Sequence, residues 1–358
     1  MHKLSAVLLA AALTIASVGA QDTSYVFTLE KTLPITSIKH QQRTGTCWCF
    51  SMLAFLESEL LRQGKGEYDL AEMFVVSHTY RDKADKYVRT HGTTCFAEGG
   101  SFYDVLYAVK RYGIVPETQM PGLDYGETQH VHAELIAGAR GFLDAILTNK
   151  NKKLSSAWKP AFNGLIDAYL GTLPETFLYE GRSFTPLSFA REIGLNADDY
   201  ISLTSFTHQP YYEAFALEIP DNWRWSSSYN IPYDEFFALF DHAIENGFSI
   251  AWAADVSEEG WSRKNGIAVF PRDTVITPAM RSLSYDDYRT TDDHGMQIYG
   301  IARDQHGDKF YLVKNSWGTN NPYQGTWYVS DAYVAAKTIN ILLHKDALPL
   351  SLRKKLRM

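Results

Sequence analysis

The stretch 41–50, QQRTGTCWCF, constrains this chain more than any other. A polar, Gly-containing loop runs straight into Cys47. The apolar run WCFSMLAFLESELL follows, with Phe50, Leu53, Leu56 and Leu60 at helical spacing. The pattern predicts a buried helix over 47–63 with Cys47 in its first turn. There the free N–H groups and the helix dipole favour thiolate over thiol, which makes Cys47 a candidate nucleophile. The same position also suits a small buried hydrophobe, and the rest of the chain has to choose between the two.

The chain has 358 residues, 45% of them hydrophobic, enough for one large domain or two lobes. Residues 1–20 combine a short basic start, an apolar stretch and Val18-Gly19-Ala20, which reads as a secretory signal peptide. The mature protein is therefore expected in a periplasm or outside the cell. No later segment is long and apolar enough to span a bilayer. A net charge of −7 without a basic stripe argues against a nucleic-acid partner. Three cysteines, Cys47, Cys49 and Cys95, are too few for a disulfide scaffold. Cys49 sits two residues beyond Cys47 on the same helix and faces elsewhere, toward core. Whether it approaches Cys95 is open at this level.

Helix signals dominate the first half. Residues 70–80 and 102–112 each read as a helix, the latter closed by Gly113. Residues 123–180 read as two helices joined by a polar turn, a helical insertion set apart from the first core. His130-Val131-His132 lacks a matching ligand pair for a metal and reads as exposed loop. From about residue 183 the texture turns β-rich. YISLTSF, SIAWAADV, MQIYGIAR, KFYLVK and TWYVS read as strands, with PYDEFFALFDHAIEN as a helix among them. The fold class is α+β: a helical lobe at about 40–122, the insertion at about 123–180, a β-rich lobe at about 183–335 and a basic tail at 346–358.

A nucleophilic cysteine needs a base, and the base needs an orienting group. His294 stands just before the MQIYGIAR strand. The turn DQHGD predicts a hairpin to KFYLVK, and Asn315 follows that partner strand. His294 and Asn315 then lie side by side. The asparagine would fix the imidazole tautomer, and Trp317 would cover the bond. Taken singly, each residue suits a surface loop or a turn; taken together they do not.

The set resembles the papain-like cysteine peptidases. Gln41 stands six residues before Cys47, as the oxyanion-hole glutamine does there, with Gln42 as the alternative. Trp48 follows the cysteine, and Asn315-Ser316-Trp317-Gly318 matches the family's Asn-Ser-Trp-Gly. Leu70-Ala71-Glu72 resembles its Leu-Ser-Glu. Glu98-Gly99-Gly100 resembles the Gly-Gly segment whose backbone holds extended substrate. Residues 99–122 and 184–192, and the surroundings of His294, are closer still to the bleomycin hydrolase/aminopeptidase C branch, over roughly residues 30–345.

The resemblance implies a two-lobe papain-like fold with an antiparallel, β-barrel-like second lobe. It implies peptide hydrolysis through Cys47, His294, Asn315 and Gln41, with Gly99, Gly100 and Trp317 holding substrate. It implies peptide substrates, no metal and no organic cofactor. The branch's hexameric rings make a homo-oligomer an expectation of the resemblance alone. The chain departs from the pattern in four ways: Thr44 and Ala97 replace a cysteine bridge, the Cys-to-His separation is long, a signal peptide is present, and the tail is short and basic. That branch reads a free substrate amine with a C-terminal arm, so exopeptidase and endopeptidase both stay open. A catalytically silent peptide binder is a further alternative. Thiol–disulfide exchange through Cys47-Trp48-Cys49 has the wrong spacing for C-x-x-C chemistry.

Overall fold

The apolar run that opens at Cys47 forms helix α1 (Cys47–Arg62), buried from Trp48 to Leu60. A helix covered on every side must sit between layers, and α1 does. The computed structural model describes residues 25–271 and 274–358, so the signal-peptide reading of 1–20 lies outside the described residues. Helices α2 (Glu72–Arg89), α3 (Phe102–Tyr112), α4 (Ala133–Leu147), α5 (Trp158–Leu170) and α6 (Pro186–Ile193) pack around α1 and one another.

Residues 123–180 do not stand apart from this core. Leu135, Ala139 and Leu143 of α4 and Phe162 and Ile166 of α5 are buried in one cluster with Phe55, Phe74 and Val76. Their four-residue spacing makes a single apolar stripe on each helix, and α2 is what covers it.

A short hairpin, β2 (Phe177–Tyr179) and β3 (Arg182–Phe184), leads to the second lobe. Its strands are β4 (Tyr200–Thr204), β5 (Ala214–Ala216), β6 (Ser227–Asn230), β7 (Ile250–Ala254), β8 (Trp261–Ser262), β9 (Ile267–Ala268), β10 (His294–Arg303), β11 (Lys309–Lys314), β12 (Thr326–Ser330) and β13 (Thr338–His344). They form one sheet in the order β5-β6-β4-β13-β7-β10-β11-β12-β9-β8, and β1 (Thr28–Thr32) pairs with β10. Most pairs are antiparallel; β4 with β6 and β9 with β12 are parallel. The barrel-like expectation is corrected here. The sheet is open and mixed, because its outer strands β5, β8 and β9 are only two or three residues long and cannot form a closing ladder.

Helices α7 (Tyr233–Glu245), α8 (Pro278–Asp286), α9 (Asp331–Lys337) and α10 (Leu350–Lys355) complete this lobe. Its core gathers Phe236, Phe240, Trp252, Ile298 and Trp327. The C-terminal helix α10 belongs to it: Leu352 and Leu356 are buried there, and Lys355 pairs with Glu235 at 2.7 Å.

The lobes meet where the start of α1 leans on the start of β10. Gly295 makes this approach possible, since a Cβ there would lie 2.6 Å from Ser51 Oγ and 3.3 Å from the Trp48 Cα. The two ends carry Cys47 and His294. Among the described residues, no helix is long and apolar enough to cross a membrane.

Candidate active site

Cys47 is the first residue of α1. Its backbone N–H has no acceptor among the described residues, as expected for a helix start. The backbone N–H groups of Gly295 and Trp48 act on its Sγ and favour the thiolate. Gly295, next to His294, packs directly against the start of α1. His294 is 5% exposed. Its Nε2 and Asn315 Oδ1 are 2.7 Å apart, and the Ser316 N–H donates to that same Oδ1 at 2.7 Å. The carbonyl is thus held toward the imidazole, so Nε2 carries the proton and Nδ1 is left for another partner. The Trp317 ring stacks on the imidazole at 4.5 Å, and the Arg263 guanidinium lies 4.2 Å over the Trp317 ring. These two layers keep water off the His294–Asn315 bond.

Burial acts on both Cys47 and His294. It pushes the Cys47 thiol up to about 12, helped by the charges of Asp292 and Asp221 and opposed by the two N–H donors. It brings the His294 imidazole down to about 4, opposed by Asn315. Each cost attaches to a lone charge. A proton passed from sulfur to Nδ1 makes two charges at once, and their attraction in a site of low dielectric works against both costs.

Gln41 lines the same cavity as Cys47 and His294. Its Nε2 donates to the Thr44 carbonyl at 2.7 Å, and its Oε1 accepts from Ser316 Oγ at 2.6 Å. This leaves one Nε2 hydrogen without an acceptor. Gln42 instead adopts a φ of 60° and turns its Oε1 to the His130 N–H. The carboxamide fixed beside Asn315 is therefore Gln41's.

The segment 98–100 borders the cysteine on the helical-lobe side. The Trp48 Nε1 donates to the Glu98 carbonyl at 3.0 Å. A Cβ on Gly100 would lie 2.8 Å from the Trp48 ring, and one on Gly99 would collide with the Asp221 carboxylate. Two unequal cavities meet at Cys47 and His294. One, of about 30 Å³, lies on the Gly100 side; the other, of about 570 Å³, lies on the Gln41 and Trp317 side.

With this geometry in place, residues 168–358 match the Peptidase C1-like family and residues 26–154 match the papain family cysteine proteases. The chain belongs to the Peptidase C1-like family. It is 24% identical to aminopeptidase G of Lactobacillus delbrueckii subsp. lactis, over 90% of this chain and 84% of that one. It is 21% identical to bleomycin hydrolase of Gallus gallus, over 92% of this chain and 84% of that one. Its fold follows the crystal structure of PepW from Lactobacillus rhamnosis HN001, with a TM-score of 0.73 and 21% identity over 92% of this chain and 84% of that one. It is a papain-like cysteine peptidase of the aminopeptidase C/bleomycin hydrolase branch.

Within this peptidase, several residues around the site differ from their sequence reading or went unread. His130 and His132 are not exposed. They are 8% and 0% exposed, and His132 Nδ1 is 3.3 Å from the Tyr80 hydroxyl. The strip they flank bridges Arg43 and Val131, and so braces the loop before Cys47. Among the described residues no cluster could hold a metal ion. Cys49, Cys95 and Cys47 are all free thiols, and Cys49 is fully buried with its Sγ directed to the Glu72 carbonyl.

The cysteine bridge missing at Thr44 and Ala97 is replaced by polar ties. The Gly45 N–H donates to Glu98 Oε2, and the buried Lys83 ammonium donates to the carbonyls of Ala97 and Gly99. Lys83 went unread because the helical run YRDKADKY gives no sign of which lysine turns inward. Asp221, Asp292 and Asn340 also border the small cavity. Of these only Asp292 left a trace in sequence, as part of the Asp-Asp-His run.

Proposed function

We propose that this protein is a cysteine aminopeptidase working through Cys47, His294 and Asn315. The observation that carries this reading is the pair of unequal cavities that share Cys47 and His294 as walls. A reactive centre with room for a small group on one side and about 570 Å³ on the other suits cleavage near a chain end. The short acyl part lies along Gly99 and Gly100. The departing peptide lies against Trp317.

Proton transfer from Cys47 to His294 Nδ1 gives the thiolate. The sulfur attacks the peptide carbonyl carbon, the C–S bond forms and the carbonyl electrons move onto oxygen. The free Gln41 Nε2–H and the Cys47 N–H steady that oxyanion, each worth about 10²–10³ in rate. Collapse breaks the C–N bond as His294 hands its proton to the leaving nitrogen. Water, losing its proton to His294, then opens the thioester and restores the thiol. Asn315 keeps the imidazole turned correctly throughout. No step needs a metal or an organic cofactor.

Fluorogenic amides of single amino acids, set beside their N-acetylated forms, test the reading. Preferred release from the free-amine substrates is expected. Equal release from the blocked forms would replace aminopeptidase by endopeptidase. An export route, through the signal-like residues 1–20, is part of the same proposal.

A further inference from the structure

The small cavity beside Cys47 has an unusual inventory of unpaired groups. The carboxylates of Asp221 and Asp292 both border it, and neither has a hydrogen-bond or ion-pair partner among the described residues. Asp293, next in the chain, is engaged elsewhere, with Thr291 Oγ1 at 2.6 Å. Of the nearby cations, the Lys83 ammonium favours the Asp221 carboxylate by its charge without bonding it, and both Lys83 and Arg224 bond other groups. Lys83 is held by the carbonyls of Ala97 and Gly99, and Arg224 bonds Asp104 and Asp82. No lysine or arginine lines the cavity.

A third acceptor comes from a different element. Asn340 of β13 is 8% exposed, and its Nδ2 donates to Ser202 Oγ at 3.1 Å. Asn340 borders the same space, and its Oδ1 has no hydrogen-bond partner among the described residues. Two carboxylates and an amide thus border one cavity of about 30 Å³ beside Cys47. An apolar group there would leave these acceptors unpaired. A protonated primary amine fits, because it brings three donors and a compensating charge. Burial and the neighbouring charges of Asp221 and Asp293 push the Asp292 carboxyl up to about 8, a strain that an arriving cation relieves.

We infer that Asp221, Asp292 and Asn340 form the subsite that receives the free α-ammonium of the substrate's first residue. The inference rests on the aminopeptidase reading and supplies its selectivity. The C-terminal residues 349–358 do not contribute, since none of them lines either cavity at Cys47. Asp221 is placed to act directly, because its carboxylate lies against Gly99, on the strand proposed to hold the acyl part.

The test uses four coumarin amides: Ala, N-acetyl-Ala, N-acetyl-Ala-Ala and N-acetyl-Lys-Ala. Their kcat/KM is measured with the wild-type protein, Asp292→Asn and Asp221→Asn. The wild type should prefer the free amine over N-acetyl-Ala by about 10- to 100-fold, the range of a charged hydrogen bond. In each variant that ratio should fall by about tenfold or more. The comparison within the wild type stands even if a variant does not fold. A wild type that turns over the acetylated amides equally well overturns the subsite and leaves the peptidase standing. Selection of N-acetyl-Lys-Ala with none for the free amine moves the cation to a side chain and overturns the α-ammonium assignment. An undiminished ratio in both variants overturns the role of the carboxylates. A wild type that hydrolyses none of the four overturns the peptidase reading and the subsite with it.

Discussion

At the residue scale, the site is a chain of single contacts, and each can be broken alone. In the proposed mechanism Asn315 orients but does not react. Asn315→Ala should lower kcat/KM by up to about 10²-fold without abolishing turnover. Steady-state kinetics would show it, and an unchanged rate would remove Asn315 from the machinery. Asp292 allows a sharper test through pH. Its folded carboxyl is pushed up to about 8 from an ordinary 3.8. Between those values the folded chain keeps a proton that the unfolded chain has released, so stability falls as pH rises through the window. Asp292→Asn removes that titration. The melting temperature of the variant minus that of the wild type should grow from pH 4 to pH 8 and then level off. A difference flat with pH would mean that the carboxyl is not held neutral. An unpaired acid kept at a cost in stability is what a binding subsite requires.

At the scale of elements, three pieces set the geometry: the start of α1, the β10–β11 hairpin and the segment 98–100. The first two were legible in sequence. Cys47 heads α1 as the apolar spacing requires, and Asp304 closes the hairpin turn by accepting from the N–H groups of His306 and Asp308 at 2.8 and 2.9 Å. Gln297 pairs with Lys314, so His294 and Asn315 fall on the same end of the hairpin.

The third piece was legible only as two glycines. What holds it is Lys83, in the middle of α2 and indistinguishable by pattern from the half-buried Lys86 three residues on. Replacing it tests the tie. Lys83→Met leaves the carbonyls of Ala97 and Gly99 without their donor, so stability should drop by about 1–3 kcal/mol per orphaned group. The loosened strand should raise KM more than it lowers kcat. Denaturant melts and kinetics read the two effects, and a variant with wild-type KM would show that the segment is held by other means.

At the scale of the whole molecule, two cores meet along a seam, and Cys47 and His294 sit in it. The change from helical to β-rich texture was visible in sequence, but Phe184, Phe189 and Ile193, beyond residue 183, still pack in the first core. The open edge of the sheet was not visible, because strands of two residues carry no period. The place of α4 and α5 in the first core was not either, since an amphipathic stripe does not say which surface covers it.

The tail is the clearest long-range result. The helix α10 packs on the second lobe, away from the cavities at Cys47. A chain ending at Pro349 would lose the burial of Leu352 and Leu356, about 3–6 kcal/mol. Its preference for free over acetylated amines should persist. Equal cleavage of both by the shortened chain would assign amine recognition to the tail.

All of this turns on one sulfur. The most direct measurement is hydrolysis of the free-amine substrate by Cys47→Ala, with a thermal melt to confirm that the variant is folded. Hydrolysis should fall to the uncatalysed level although Cys49 and Cys95 remain as free thiols. A folded Cys47→Ala protein that retains the wild-type rate would contradict the assignment.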